Sequence, residues 1–294
     1  MIINDVHVHI SLEKTLFNSK TFQDFLKDKN KFNINNCVLF AHPLVKRLYD
    51  CLLNHTIKVL DNSDGIEYRC TQCDKVLYSG QDPFHLSNIA LINMCNKHKG
   101  LFPFLYLTLG KTIEEEVNYF ETNFKNQYYG IKIHPNCCQQ KVDKFIFNTD
   151  KPLIIHCGKS EIDCASHALN LAKKAKGNVL LAHLARLHPS TLKEIKFHEN
   201  VFLDMSPTYY LQQIADSNYQ KTYESEITKY HNVHDIMMKV IEIVGEDKII
   251  FGSDIPFGNY NDLENLQKTL ALDKDLEKKV FETNFYNYLK IKLI

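Results

Sequence analysis

Short apolar runs recur along the chain, several of them ending in a polar residue, and stretches of helical spacing lie between most of them. The first run, Ile2-Ile3-Asn4-Asp5-Val6-His7-Val8-His9, alternates with the period of a strand, which predicts that Asp5, His7 and His9 share one face. Thr21 to Lys29 reads as a short amphipathic helix, and Cys37-Val38-Leu39-Phe40-Ala41 as a buried second strand. From Pro43 to Gly80 the rhythm breaks. A helical piece near Val45 to Leu53 precedes Glu67 to Tyr78, the pattern of an insertion carrying a hairpin.

From Asp82 strand and helix alternate: helix Pro83 to His98, strand Leu101 to Thr108, helix Ile113 to Lys125, strand Tyr129 to His134. The pattern goes on with strand Pro152 to Cys157, helix Ala165 to Lys174, strand Asn178 to His183, helix Ser190 to His198 and strand Val201 to Met205. A helix near His234 to Val244 leads to strand Lys248 to Ser253. Such alternation predicts a parallel sheet, and eight strands of this kind predict an α/β fold, a (β/α)8 TIM-like barrel. Residues 43–80 form an insertion after its second strand, and helices from Asp262 onward, ending with Val280 to Leu289, close the outer ring. A chain of 294 residues fits one such barrel as a single domain, 1–294.

Composition narrows the partner. Lys and Arg number 35 against 35 Asp and Glu, with no long block of one sign, so nothing marks a nucleic-acid or anionic-membrane surface and a small-molecule substrate is expected. No apolar run approaches the roughly 20 residues of a membrane span, and Met1-Ile2-Ile3-Asn4 does not read as a signal region, so a cytoplasmic location is expected. Nine cysteines, scattered and odd in number, argue for reduced thiols. Cys37, Cys95, Cys157 and Cys164 read as small packed hydrophobes, while the Cys137-Cys138 pair has no reading from sequence.

Candidate chemistry sits at the strand ends. Ile131-Lys132-Ile133-His134, Leu153-Ile154-Ile155-His156, Leu180-Leu181-Ala182-His183 and Ile250-Phe251-Gly252-Ser253-Asp254 each stay mostly apolar until a ligand-type residue appears. In a barrel these ends converge on the C-terminal face. A lone histidine there is as readily a hydrogen-bonded core residue as a ligand, but recurrence on several strands points to one metal site with His7 and His9. Neutral imidazoles and a carboxylate bind a borderline cation and leave a position open for water or substrate, and a carboxylate beside it can shuttle the proton, which describes metal-assisted hydrolysis.

These motifs, in the order Asp5-Val6-His7-Val8-His9, Gly130 to Pro135, Pro152 to Gly158, Leu180 to His183 and Ile249 to Pro256, resemble the amidohydrolase superfamily. The branch most similar is that of metal-dependent hydrolases related to aminocarboxymuconate-semialdehyde decarboxylase, which Gly245-Glu246-Asp247-Lys248 and Asn284 also resemble. The resemblance implies His7, His9, His156 and Asp254 as metal ligands, with Asp254 also the general base or proton shuttle. His183 would bind a second metal or polarise the substrate. Some members bridge two metals with a carboxylated lysine on the fourth strand. Here Lys132 lies two residues before the strand end held by His134, so Lys132 is read as substrate-facing or structural, and one catalytic metal is favoured, zinc by default with manganese accepting the same ligands. Arg186 either grips a substrate carboxylate or phosphate or is solvated. Tyr209 and Tyr210 either wall the pocket or pack.

The leading expectation is hydrolysis of a carbon-nitrogen or carbon-oxygen bond in a small polar substrate. Its rival is non-oxidative decarboxylation of an unsaturated or aromatic acid on the same site. TatD-type deoxyribonucleases share the opening His-x-His but place a glutamate after strand four, where this chain has His134. A partner-binding barrel with a purely structural metal is the non-enzymatic alternative. In the insertion, Cys70-x-x-Cys73 resembles one knuckle of a structural zinc site. Cys51 and His55 are the preferred second pair, His42 and His85 the reserves, and idle reduced thiols the alternative.

Overall fold

A computed structural model describes residues 2–11, 21–42, 51, 57–62, 65–80, 82–110, 113–145, 147–206, 232–261 and 263–292. The helical piece expected near Val45 to Leu53, except Cys51, falls outside these residues, as do His55, Tyr209 and Tyr210.

Eight parallel strands form one sheet: β1 (Ile3–Ile10), β2 (Ile34–Ala41), β6 (Leu101–Leu107), β7 (Gly130–Ile133), β8 (Leu153–Ile155), β9 (Val179–Leu181), β10 (Val201–Asp204) and β11 (Ile249–Ile250), in that order. The sheet nearly closes into a (β/α)8 barrel. Val6 N–H donates to the Phe251 carbonyl at 3.0 Å, and Asp254 N–H to the His7 carbonyl at 2.8 Å, stitching the last strand to the first. Most observed strands are shorter than the apolar runs, because the polar residues at their ends leave the ladder and enter the loops.

Strand alternation sorts the core into two layers. Outward residues such as Leu39, Leu105, Ile131, Ile155 and Leu181 pack against helices that include α1 (Phe22–Lys31), α2 (His85–Cys95), α3 (Ile113–Asn123) and α5 (Ala165–Ala172). Between α3 and α5 lies the single turn α4 (Pro135–Cys138). Inward residues, among them Val38, Phe40, Phe104, Ile154, Leu180 and Ile250, fill the barrel and meet Phe285 and Tyr288 near the C-terminus. Asn284 donates to the carbonyls of Glu246 (2.8 Å) and Ile249 (2.9 Å), tying that closing segment to the approach to β11.

One expectation fails at β1. Its pairing with β2 carries a register shift between Asp5 and Val8, so the strict alternation that would align Asp5 with His7 and His9 is broken. Asp5 instead accepts from the Ser253 amide (3.0 Å) and the Tyr260 hydroxyl (2.7 Å), outside the histidine cluster.

The insertion is a second, antiparallel sheet of β3 (Ile57–Asn62), β4 (Gly65–Cys70) and β5 (Val76–Gly80), one strand larger than the expected hairpin. Cys37, Cys95 and Cys157 are buried as expected, with Cys164 only half-buried. Cys138 is also buried, its sulfur accepting the Leu109 amide at 3.0 Å. Among the described residues no helix is long and apolar enough to cross a membrane.

Candidate active site

Two strand ends turn their last residue back over the barrel by entering the left-handed region. His183 has φ 60°, followed by four more positive-φ residues through Leu187, and Asp254 has φ 58°. Such angles are costly for non-glycine residues and persist only where surroundings enforce them. Here they place His183 and Asp254 beside His7 and His9.

His7 and His9 each present Nε2 to the same Asp254 oxygen, both at 3.3 Å. His7, His9 and Asp254 form a group whose donor atoms all lie within 4.8 Å of one another, and His7, His183 and Asp204 form a second. Both groups are buried. They share His7 through its two different nitrogens, and the partners differ in character. Asp204 lies 2.6 Å from His7 Nδ1 and is fully buried. A carboxylate accepts there, so Nδ1 carries the hydrogen and Nε2 presents its lone pair toward His9 and Asp254. Asp204 also accepts from the His183 amide (2.9 Å) and the Ser206 hydroxyl (2.6 Å). Burial works against its charge, but His7, His183 and Ser206 outweigh that and hold its carboxyl below the usual range.

The donor set suits a divalent ion. Burial, with His42 and His7 adding to it, pushes His9 well below the usual imidazole range, so its ring is neutral and one ring nitrogen offers a lone pair. Burial raises Asp254 to about 6. A confined carboxylate of this kind is relieved by a cation. Gly252 keeps this floor open, because a Cβ there would come within 3.0 Å of the His7 Cβ. Lys132 points inward as well, its Nζ 3.2 Å from His7 Nε2 and 4.9 Å from the Phe40 ring centroid. Burial lowers its pKa to about 8, opposed by Asp204 and Asp254.

His156 stands next to this cluster rather than in it. His183 Nδ1 lies 2.8 Å from the Ser206 carbonyl, which can only accept, so His183 Nε2 accepts from His156 Nδ1 at 3.0 Å. His156 Nε2 then faces Asp163 at 3.6 Å, and its ring stacks on His134 with centroids 3.7 Å apart. Asp163 is held by Ser160 (2.7 Å to its hydroxyl) and Asn136, and a Cβ at Gly158 would collide with it. Arg186 is half-buried on the left-handed turn.

His42, a reserve ligand for the insertion, belongs to the barrel instead, stacked on His9 at 4.9 Å. Phe257 meets both rings edge-on, at 5.7 and 6.5 Å. His85, the other reserve, pairs with Glu116 at 2.8 Å across α2 and α3. Sequence reasoning missed Asp204, Asp163, Ser206 and Phe257. Asp204 alone carried a visible signal, a carboxylate closing the apolar run Val201-Phe202-Leu203, of the same kind as the strand ends that were recognised.

Residues 140–284 match the amidohydrolase family model. That segment of the chain is similar to amidohydrolases. No curated protein matches its sequence significantly. Among solved structures, the 2,6-dihydroxybenzoate decarboxylase of Rhizobium is 13% identical, with TM-score 0.61 and 99% of each chain covered. A dihydroxybenzoic acid decarboxylase of Polaromonas, solved with manganese and 2-nitroresorcinol, is 15% identical, with TM-score 0.58 and coverage of 98% of this chain and 97% of its own. A protein of Acinetobacter baumannii assigned as a 2-pyrone-4,6-dicarboxylic acid hydrolase, solved with citric acid, is 16% identical, with TM-score 0.57, covering 99% of this chain and 100% of its own. At these identities the likeness is one of fold.

Proposed function

We propose that this chain is an amidohydrolase-superfamily enzyme and a divalent-metal-dependent, non-oxidative decarboxylase of a small aromatic or unsaturated carboxylic acid. The observation that carries it is a pair of imidazoles, His7 and His9, facing one buried carboxylate, Asp254, beneath a mouth walled by the flat rings of His42 and Phe257. Relatives of the same fold that act on hydroxybenzoates support it over hydrolysis.

His7, His9 and Asp254 would hold the metal, with His156 reaching it only by turning away from His183. Zinc and manganese both suit this donor set. A divalent ion held there would supply Lewis acidity toward the substrate's acid group. Asp204 keeps the His7 lone pair aimed inward. Phe257 and His42 would hold the substrate ring by stacking, and Arg186 on the adjoining turn would orient a second anionic group. Asp254 would also relay the proton: decarboxylation replaces the carboxylate by hydrogen, releasing carbon dioxide, and the Asp254 carboxylate beside the vacated carbon can pass it a proton taken from water.

The test is incubation of zinc- or manganese-loaded protein with hydroxybenzoates and unsaturated dicarboxylic acids in deuterated water. The expected result is carbon dioxide release with one deuterium at the vacated carbon, absent in Asp254→Asn. Turnover of lactones or amides without carbon dioxide would instead establish the hydrolytic alternative, in which Asp254 deprotonates water. Inactivity in both panels with metal bound would sink both.

A further inference from the structure

The insertion carries chemistry that the barrel mouth does not use. The turn between β4 and β5 is Cys70-Thr71-Gln72-Cys73-Asp74-Lys75. Cys70 N–H donates to the Lys75 carbonyl at 3.0 Å, and Asp74, with φ 52°, donates its N–H to the Cys70 carbonyl at 2.9 Å. This tight reversal brings the backbone amides of Cys73 and Gln72 onto the Cys70 sulfur. The Cys73 and Cys51 side chains approach the same sulfur, Cys51 arriving from the other end of the insertion. Cys51 also packs against the small apolar cluster of Ile57, Ile66 and Tyr68 that holds the three strands together. All three cysteines are free thiols.

Amides aimed at a sulfur favour its thiolate, and the thiolate is the form that binds metal. Apolar packing alone gives no reason for two amides and two further sulfurs to converge on one thiol.

We propose that Cys51, Cys70 and Cys73 form a thiolate site for one zinc ion, separate from the barrel mouth. Unlike the barrel-mouth donors, their sulfurs do not all lie within 4.8 Å of one another. Zinc–sulfur bonds of about 2.3 Å in tetrahedral geometry draw them together on binding. Each thiol releases its proton to solvent, and a water molecule or a further donor completes the fourth position. The site clamps Cys51, near the chain's exit from β2, to the β4–β5 turn. The cluster it braces reaches Cys137, whose sulfur lies 3.6 Å from the Tyr106 hydroxyl inside the barrel, so the clamp also steadies one wall of the mouth.

The experiment uses the full chain, with metal removed by chelation and cobalt(II) titrated back as a spectroscopic stand-in for zinc. Thiolate-to-cobalt charge-transfer absorption is expected in the wild type and in Asp254→Asn, and its loss in Cys70→Ser and in Cys73→Ser. Cys73 is exposed, so its replacement leaves the apolar cluster intact. Elemental analysis of protein purified without chelator should show a full equivalent of zinc lost in each cysteine variant. Absence of the charge-transfer band from the wild type would overturn the site whatever the variants do. Mass analysis showing a disulfide among the three cysteines with no zinc bound would overturn it too. Neither result bears on the barrel metal, which is followed through Asp254→Asn.

Discussion

In the proposed metal site, Asp204→Asn isolates the part that would act without touching metal or substrate. In the wild type, one Asp204 oxygen lies 2.6 Å from His7 Nδ1 while the other accepts from the His183 amide and Ser206. Asparagine fits the same space. Its oxygen must stay with His183 and Ser206, all donors there, so its amide nitrogen turns to His7 Nδ1. His7 can accept that hydrogen only by moving its own proton to Nε2, the atom that faces His9 and Asp254. The lone pair offered to the metal is lost. Partners of this kind are worth about 10–100-fold in metal affinity, or about 1.4–2.7 kcal/mol. The assay is a competition titration of zinc or manganese against a chromophoric chelator, with thermal unfolding as a control for folding. Ser206→Ala, which removes one neutral donor and keeps the carboxylate, should weaken metal far less. If Asp204→Asn bound metal as tightly as wild type while remaining folded, the assignment of Nε2 as the ligand atom would be refuted.

Further outcomes follow from the same contacts. His9→Ala should lose the barrel metal and turnover while unfolding at a temperature close to wild type, checked by elemental analysis and calorimetry; retained metal would remove His9 from the ligand set. Asn284→Ala leaves the carbonyls of Glu246 and Ile249 without their donor and should cost about 1–3 kcal/mol in denaturant unfolding. Burial raises Asp82 to about 7, above its unfolded value, although the Thr108 and Phe84 amides bond it. The folded state therefore holds that proton more tightly, and Asp82's contribution to stability is full below the unfolded pKa and fades as pH rises through about 7. Melting temperature should accordingly fall from about pH 5 to about pH 8 more steeply in wild type than in Asp82→Asn; parallel slopes would show that Asp82 is ionised throughout.

The barrel was legible because two short-range periodicities, two for strands and 3.6 for helices, leave their mark on any core buried in layers. Strand ends were legible for a related reason: His7, His9, His183 and Asp254 interrupt apolar runs, and a closed parallel sheet gathers such interruptions at one mouth. Three things lay beyond the sequence because they depend on contacts between distant segments. The register shift in β1 removes Asp5 from the cluster, since period alone cannot announce an irregularity imposed by the neighbouring strand. The partition of histidines was equally hidden: His156 bonds to His183 and faces Asp163, while His42 leaves the insertion to stack on His9. Finally, a ring's tautomer is set by what meets its other nitrogen. Residue types along the chain therefore nominated the site, but the packing of β1 against β10 and β11 decided that Asp204 orients His7 and that Asp254 faces it.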